Sequence, residues 1–277
     1  MAENFDNWIG KTDVQKDVVT LALIDRYGAV IGANASGETA AKGLHWCLGL
    51  PDAPMTELGT DGHPKTGGFL PPSPLPRRMW ASSKVEFLAD IKIGAAIERR
   101  STIASVSEKT GRSGSLLFVN VDHVTSSNDI VAVKETQTIV YRDAPKEKMV
   151  LPETGDVDLS AWDKIEGLTP NPALLFRYSA LTFNTHRIHY DYDYATKIEG
   201  YPALVVHGPL MASLLLRFAN DHASGRKVYK FEFRGLAPAF CNQELFLVAN
   251  DIEDGLELAT IGADGAKRMA AKVTFKV

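Results

Sequence analysis

The sequence predicts an α+β protein made of two copies of one module, each an antiparallel sheet wrapped around a central helix. Three observations carry this prediction. Two blocks, 78–142 and 228–277, hold runs of β-branched and aromatic residues cut by short turn signals. Residues 209–219 are apolar almost all round, so a helix there must be buried on most of its faces. Both halves also repeat the same order of elements: Val85-Glu86-Phe87 stands ahead of one sheet as Phe231-Glu232-Phe233 does ahead of the other, and Ile139-Val140-Tyr141 and Phe275-Lys276-Val277 close them.

In chain order, residues 12–31 fit an amphipathic helix. Thr12 and Gln15 can form a capping box, and Val14, Val18, Leu21, Ile24, Tyr27 and Ile31 supply an apolar face. Gly43 to Leu50 is a short apolar segment. The stretch 51–76 then carries seven of the chain's fourteen prolines, which excludes regular structure and predicts a long ordered loop or lid. Strands are expected at Val85–Phe87, Ile97–Val106, Leu116–Val124 and Ile130–Tyr141, with turns at 109–112 and 127–129. The charged segment 143–170, with Pro145, Pro152, Gly155 and Pro170, reads as a linker between an N-terminal unit 1–142 and a C-terminal unit 171–277. In the second unit Pro209 suits the first turn of the buried helix. Four strands follow at Val228–Arg234, Leu245–Asp251, Leu256–Ile261 and Arg268–Val277, with Asp254-Gly255 and Asp264-Gly265 as tight turns.

Composition bounds the function. The chain has 277 residues, 45% hydrophobic and 23% charged, with a formal net charge of −4, which excludes disordered and fibrous classes. The mild acidity gives no general attraction to nucleic acid or to an anionic membrane. No apolar run is long enough to span a bilayer, and Met1 to Asp6 lack the basic-then-apolar character of a signal peptide, so a cytoplasmic protein is expected. Cys47 and Cys241 are too few for a disulfide framework or thiolate metal ligation. A small-molecule, enzymatic function remains.

Chemistry-bearing residues crowd into the second half. Asn184, His186, His189 and Asp191 precede a turn-rich stretch, and His207-Gly208-Pro209 opens the buried helix. Helix N-termini present unpaired N–H groups that suit a developing oxyanion, and Gly208 lets a ligand approach the backbone. His186, His189 and Asp191 can also be read as a two-histidine, one-carboxylate metal site, but that spacing is unspecific and no metal or other cofactor is expected. His45, His63, His123 and His222 read as surface or structural. The sequence holds no Gly-rich phosphate fingerprint and no Gly-x-Ser-x-Gly.

At these residues the chain resembles the MaoC-like hydratases and dehydratases in their double hot-dog form. The usual motif places Asp five residues before His; here Asn184 and His189 occupy those positions, with Ile188 before the His and His207-Gly208-Pro209-Leu210 downstream. An amide does not take up a proton at neutral pH, so Asn184 cannot act as a base. The fuller strings Phe176 to Asn184 and His186 to Asp191, with Trp8-Ile9-Gly10-Lys11, Gly67 to Pro72 and Pro74 to Trp80, resemble the branch of mesaconyl-C4-CoA (3-methylfumaryl-CoA) and itaconyl-CoA hydratases.

The resemblance implies a pseudo-dimer of hot-dog modules in which only the C-terminal copy is catalytic and the N-terminal copy shapes an acyl-CoA tunnel. It implies hydration of an enoyl-thioester, with His189 as base, Asn184 holding the water, and Gly208 with the helix N-terminus meeting the thioester oxygen. His186, His207 and Asp191 would line the substrate. A dicarboxylic acyl group also needs a cation, for which Arg187, Arg77 and Arg78 are candidates; Arg226, Lys227 and Lys230 are candidates for the CoA phosphates. The rivals are a general (R)-3-hydroxyacyl-thioester dehydratase, a thioesterase using Asp191, and a non-catalytic thioester-binding protein. Either a monomer or a homodimer fits.

Overall fold

The computed structural model describes residues 5–33, 38–111, 114–145 and 147–276; expectations resting on Met1 to Asn4, Arg112 and Val277 lie outside them. The described residues form ten strands: β1 (Thr12–Val18), β2 (Arg77–Phe87), β3 (Ala96–Gly111), β4 (Gly114–Ser127), β5 (Ile130–Arg142), β6 (Lys164–Leu168), β7 (Lys227–Gly235), β8 (Leu245–Ile252), β9 (Gly255–Gly262) and β10 (Lys267–Lys276). Three α-helices accompany them: α1 (Leu21–Ile31), α2 (Pro172–Leu181) and α3 (Gly208–Asp221). The architecture is an α+β double hot-dog.

The strands make one antiparallel sheet in the order β1-β3-β4-β5-β2-β7-β10-β9-β8-β6. Five strands of the first half thus meet five of the second in mirrored order, joined where β2 pairs with β7. The two echoing strings lie at that seam, with Val85 opposite Phe231, Ser83 opposite Phe233 and Glu86 opposite Lys230. Lys230 closes the seam on the solvent side with an ion pair to Glu86 at 2.9 Å. Val85 and Phe231 are fully buried beneath it. At the 127–129 hairpin, Asn128 and Asp129 both adopt left-handed backbone, the geometry that matches a tight turn to the twist of the flanking strands.

Two expectations change here. The helix predicted over 12–31 is a strand followed by a helix. Thr12 to Val18 alternate in burial along the edge of the sheet and pair with β3, so the twofold period wins over the helical one. The helix is capped instead by Thr20, whose hydroxyl accepts the Leu23 N–H at 3.1 Å. Nor is 143–170 connection throughout, because Lys164–Leu168 form β6 on β8. Helix α2 was not anticipated, although Asn171-Pro172 spells its start: Asn171 accepts the Leu174 N–H at 2.9 Å and Pro172 opens the first turn.

Helix α3 packs across β7, β8, β9 and β10 and is buried on nearly every face. Among the described residues of the first half, no such helix stands between α1 and β2, only two 3-10 turns, Leu44–Cys47 and Met55–Glu57, of which the first is buried. A buried carboxylate anchors that turn. Glu135 on β5 accepts from Trp46 Nε1 at 3.1 Å and from the Ser83 hydroxyl at 2.6 Å, and stands 3.5 Å from His45 Nε2. Burial alone would raise this carboxyl, but His45, His123 and Ser83 bring it down to about 2. Trp46 then stacks edge-on against Trp80 and Phe233, tying the turn to both sides of the seam.

Removing one member of such a network leaves the others buried and unpaired. Glu135→Ala is therefore expected to cost about 3–5 kcal/mol in urea unfolding, and a loss below about 1 kcal/mol would show that the network does not hold the turn.

Candidate active site

Helix α2 ends in a tight reversal that aims the next residues back under α3. Thr182 caps it, Phe183 takes left-handed backbone (φ 47°), and the Asn184 N–H returns to the Ser179 carbonyl at 2.9 Å. Such caps usually carry glycine, so a bulky residue there is a strained choice. Asn184 Oδ1 then accepts the His186 N–H at 3.0 Å, which fixes the amide with its NH₂ group turned away from that bond.

His189 closes the following 3-10 turn and is buried. Its Nδ1 lies 2.7 Å from the Val205 carbonyl, and a carbonyl can only accept, so Nδ1 carries the proton and Nε2 keeps its lone pair. Burial lowers this ring to about 3 despite the carbonyl bond, so it is neutral at physiological pH. His207 stacks on it at 3.6 Å between centroids. That second ring is fully buried, with Nε2 at 2.8 Å from the Ser179 hydroxyl and Nδ1 unpartnered. His207 is also the N-cap residue of α3, so Gly208 and Leu210 place their N–H groups in a first turn where no carbonyl of the helix can accept them. A Cβ at Gly208 would meet only the Trp80 carbonyl, at 3.8 Å.

The proline-rich segment of the first half docks onto this turn. Arg187 N–H donates to the Asp61 carbonyl at 2.9 Å, Arg187 Nη1 to the Thr60 carbonyl at 3.0 Å, and the Thr185 hydroxyl to the Gly62 carbonyl. Gly62 has φ 90°, and a Cβ there would stand 1.9 Å from the Thr185 carbonyl oxygen, so only glycine permits the contact. Docking brings His63 to 4.2 Å from His186, which is 5.5 Å from His189, all between ring centroids. Four imidazoles thus form a row: His63, His186, His189, His207.

Of the arginines singled out in the sequence, Arg77 is ion-paired with buried Glu199 and donates to its carbonyl at 2.9 Å. Arg187 pairs with Asp191 at 2.8 Å and lies over the Tyr194 ring. Arg78 makes no ion pair among the described residues, and its charge acts on Asp61, His63 and His186. Lys227 and Lys230 are paired with Asp90 and Glu86, and the Arg226 guanidinium lies over Phe275.

His186, His189 and Asp191 are not assembled as a metal triad, because Asp191 is committed to Arg187. Donor atoms of Asp61, His63 and His186 do come within 4.8 Å of one another. His63 Nδ1, however, is already hydrogen-bonded to Asp61 Oδ2 at 3.0 Å, so the group is a carboxylate–imidazole pair beside a third ring. His63, read from the sequence as surface or structural, is thus part of the cluster. Its one local signal was its position in the proline-rich lid.

A family model described as hydroxyacyl-thioester dehydratase type 2 matches residues 43–241. The chain belongs to that family. It is 42% identical over 274 residues to a mesaconyl-C(4)-CoA hydratase of Chloroflexus aurantiacus, covering 96% of both chains. It is 27% identical to the mitochondrial hydroxyacyl-thioester dehydratase type 2 of Schizosaccharomyces pombe, over 84% of this chain and 88% of that one. Among solved structures, HtdX of Mycobacterium tuberculosis superposes with a TM-score of 0.71 at 20% identity, over 96% of this chain and 100% of that one. A MaoC-like dehydratase of Phytophthora capsici gives 0.72 at 15%, over 99% of both. These two share the fold of this family member. No helix among its described residues is long and apolar enough to cross a membrane.

Two tests follow from the geometry. Gly62→Ala should undock the lid and lower activity at least tenfold while the core stays folded; unchanged activity would show that the docking is dispensable. The second concerns acid. His189 is lowered from 6.5 to about 3 and His123 to about 4, mainly by burial. Between those values and 6.5 the unfolded chain holds more protons than the folded one, so stability falls as pH falls through this window. Each histidine contributes about 1.4 kcal/mol per pH unit there. Urea unfolding at pH 7 and pH 5 should differ by several kcal/mol, and equal midpoints would contradict the buried neutral rings.

Proposed function

We propose that this protein reversibly adds water across the α,β double bond of an enoyl-CoA, with a branched dicarboxylic acyl group such as that of mesaconyl-C4-CoA as substrate. The observation that carries the reading is the His189 ring: neutral, fixed by the Val205 carbonyl so that Nε2 keeps its lone pair, and stacked on His207, the N-cap residue of α3. The near full-length relative that is a mesaconyl-C(4)-CoA hydratase supports the substrate class.

In this reading His189 Nε2 takes a proton from water as the oxygen attacks Cβ, and the Asn184 NH₂ group holds that water. Charge on the thioester oxygen is met by the N–H groups of Gly208 and Leu210; Pro209 between them cannot donate. His207 stacks behind His189 and keeps its plane. Arg78 takes the free carboxylate of the acyl group, since Arg77 and Arg187 already hold Glu199 and Asp191. CoA is the carrier.

The test is loss of enoyl-thioester absorbance with mesaconyl-C4-CoA, itaconyl-CoA and crotonyl-CoA, run beside a free-thiol assay. Absorbance should fall with a dicarboxylic substrate and no thiol should appear; released thiol would favour a thioesterase instead. His189→Ala should lower kcat/KM by about 10²–10⁴ or more. Arg78→Met should raise KM for mesaconyl-C4-CoA by about 10–100-fold, the loss of a charged hydrogen bond of about 1.5–3 kcal/mol. Crotonyl-CoA, which lacks the second carboxylate, should be affected far less, and an equal effect on both would remove Arg78 from that role.

A further inference from the structure

We propose that Asp61 and His63, carried by the proline-rich segment of the first half, are the second acid–base group of the site in the second half, with His63 exchanging the proton at Cα while His189 serves the water. This rests on the hydratase reading above and goes beyond it.

The chemistry leaves a vacancy for such a group. Hydration places oxygen on Cβ and a proton on Cα, and His189 Nε2 has one lone pair for one of those tasks. Asn184 cannot carry the other proton, since an amide neither gains nor loses one near neutral pH. Asp191, the carboxylate in the same string, is held by Arg187 through two hydrogen bonds, at 3.0 and 2.8 Å.

The lid supplies what the string lacks. Asp61 Oδ2 stands 3.0 Å from His63 Nδ1 and Asp61 Oδ1 accepts the His63 backbone N–H at 3.0 Å, so the carboxylate orients the ring from two sides. Nδ1 faces the carboxylate, and Nε2 is the atom left for substrate. The ring packs 4.2 Å from His186, the next member of the row toward His189. Its side chain is 19% exposed, whereas His207 at the far end is fully buried, so His63 is the ring of the row in contact with solvent. The docking bonds at Gly62, Thr185 and Arg187 hold it there.

Every charged or titratable group facing His63 enters the balance. Burial and Arg78 from β2 disfavour its charged form and outweigh Asp61 on its own segment, which favours it, so His63 lies below the ordinary histidine value; His186 and His189 across the interface compete for the same proton, and the donor is the charged ring on the acid side of that value. In hydration, water oxygen bonds to Cβ, its proton goes to His189 Nε2, and the double-bond electron pair passes through the thioester enolate to Cα, which takes the proton from His63 Nε2. Between turnovers His189 gives its proton to solvent in the emptied site and His63, which meets solvent, takes one up, so no net proton is consumed.

The test uses the full chain, with hydration followed by absorbance. His63→Gln should lower kcat by about 10²-fold or more with KM changed less than about threefold. Asp61→Asn should keep more activity and move the basic limb of the kcat profile down by about 1–3 pH units, because the charge that holds the proton is gone. Added imidazole should restore part of the kcat of His63→Gly, which a loss of lid docking would not allow. The proposal is overturned if His63→Gln keeps kcat within about threefold while His189→Ala is inactive. It is equally overturned if the loss lies wholly in KM and melting temperature, with neither a shifted limb nor imidazole rescue. Activity retained by His189→Ala would instead overturn the hydratase reading itself.

Discussion

The pairing of β2 with β7 is the constraint on which the rest of the molecule depends. Five consecutive register pairs, Ser82–Arg234 to Glu86–Lys230, turn two five-stranded halves into one sheet. Because the proline-rich segment runs directly into β2, that register also decides where the segment falls: over the turn between α2 and α3 of the other half. A shift of one residue would invert Val85 and Phe231 from core to solvent and carry Asp61 and Gly62 away from Arg187 and Thr185. The site is therefore a product of the seam as much as of either half.

The halves share strand order but not interior. In the second, α3 fills the concave face and offers its N-terminus to the site. In the first, the buried 3-10 turn Leu44–Cys47 is anchored by Glu135, which accepts from Trp46 and Ser83. A buried carboxylate needs all its partners, which explains why Trp46, Ser83, His45 and Glu135 come from three separate stretches of chain yet act as one unit.

Much of this was legible in the sequence where short-range pattern decides. The long strands and α3 show themselves because alternation or an all-round apolar face leaves a local mark. Thr12 to Val18 were misread because Val14 and Val18 satisfy a helical spacing as well as a strand, and only the edge of β3 selects between them. β6 was hidden for a related reason: five residues, charged at Lys164 and Glu166, are what an edge strand needs against aggregation and what a linker also looks like. Asn184, His189 and His207-Gly208 were visible as a string. His63 was not, because its partners His186 and Arg78 are brought to it by the seam and the lid, which no local pattern encodes.

The substitution of Asn at position 184 acquires a physical sense in this setting. Burial pulls down the proton affinities of His186, His189 and His207, with neighbouring histidines adding to it, so these rings are neutral at physiological pH. A carboxylate at 184, beside the His186 N–H, would place a fixed negative charge next to these rings and pull a proton onto them, opposing the neutral His189 that a base requires. The amide keeps the hydrogen bond to His186 without the charge. With the carboxylate carried instead by Asp61, the negative charge lies at the solvent end of the row, on a segment held to the site by the contact of Gly62 with Thr185. On the proposed mechanism the carboxylate that charges the proton donor and the neutral ring that acts as base then lie at different places in the row, so His189 is uncharged before it takes the proton of water.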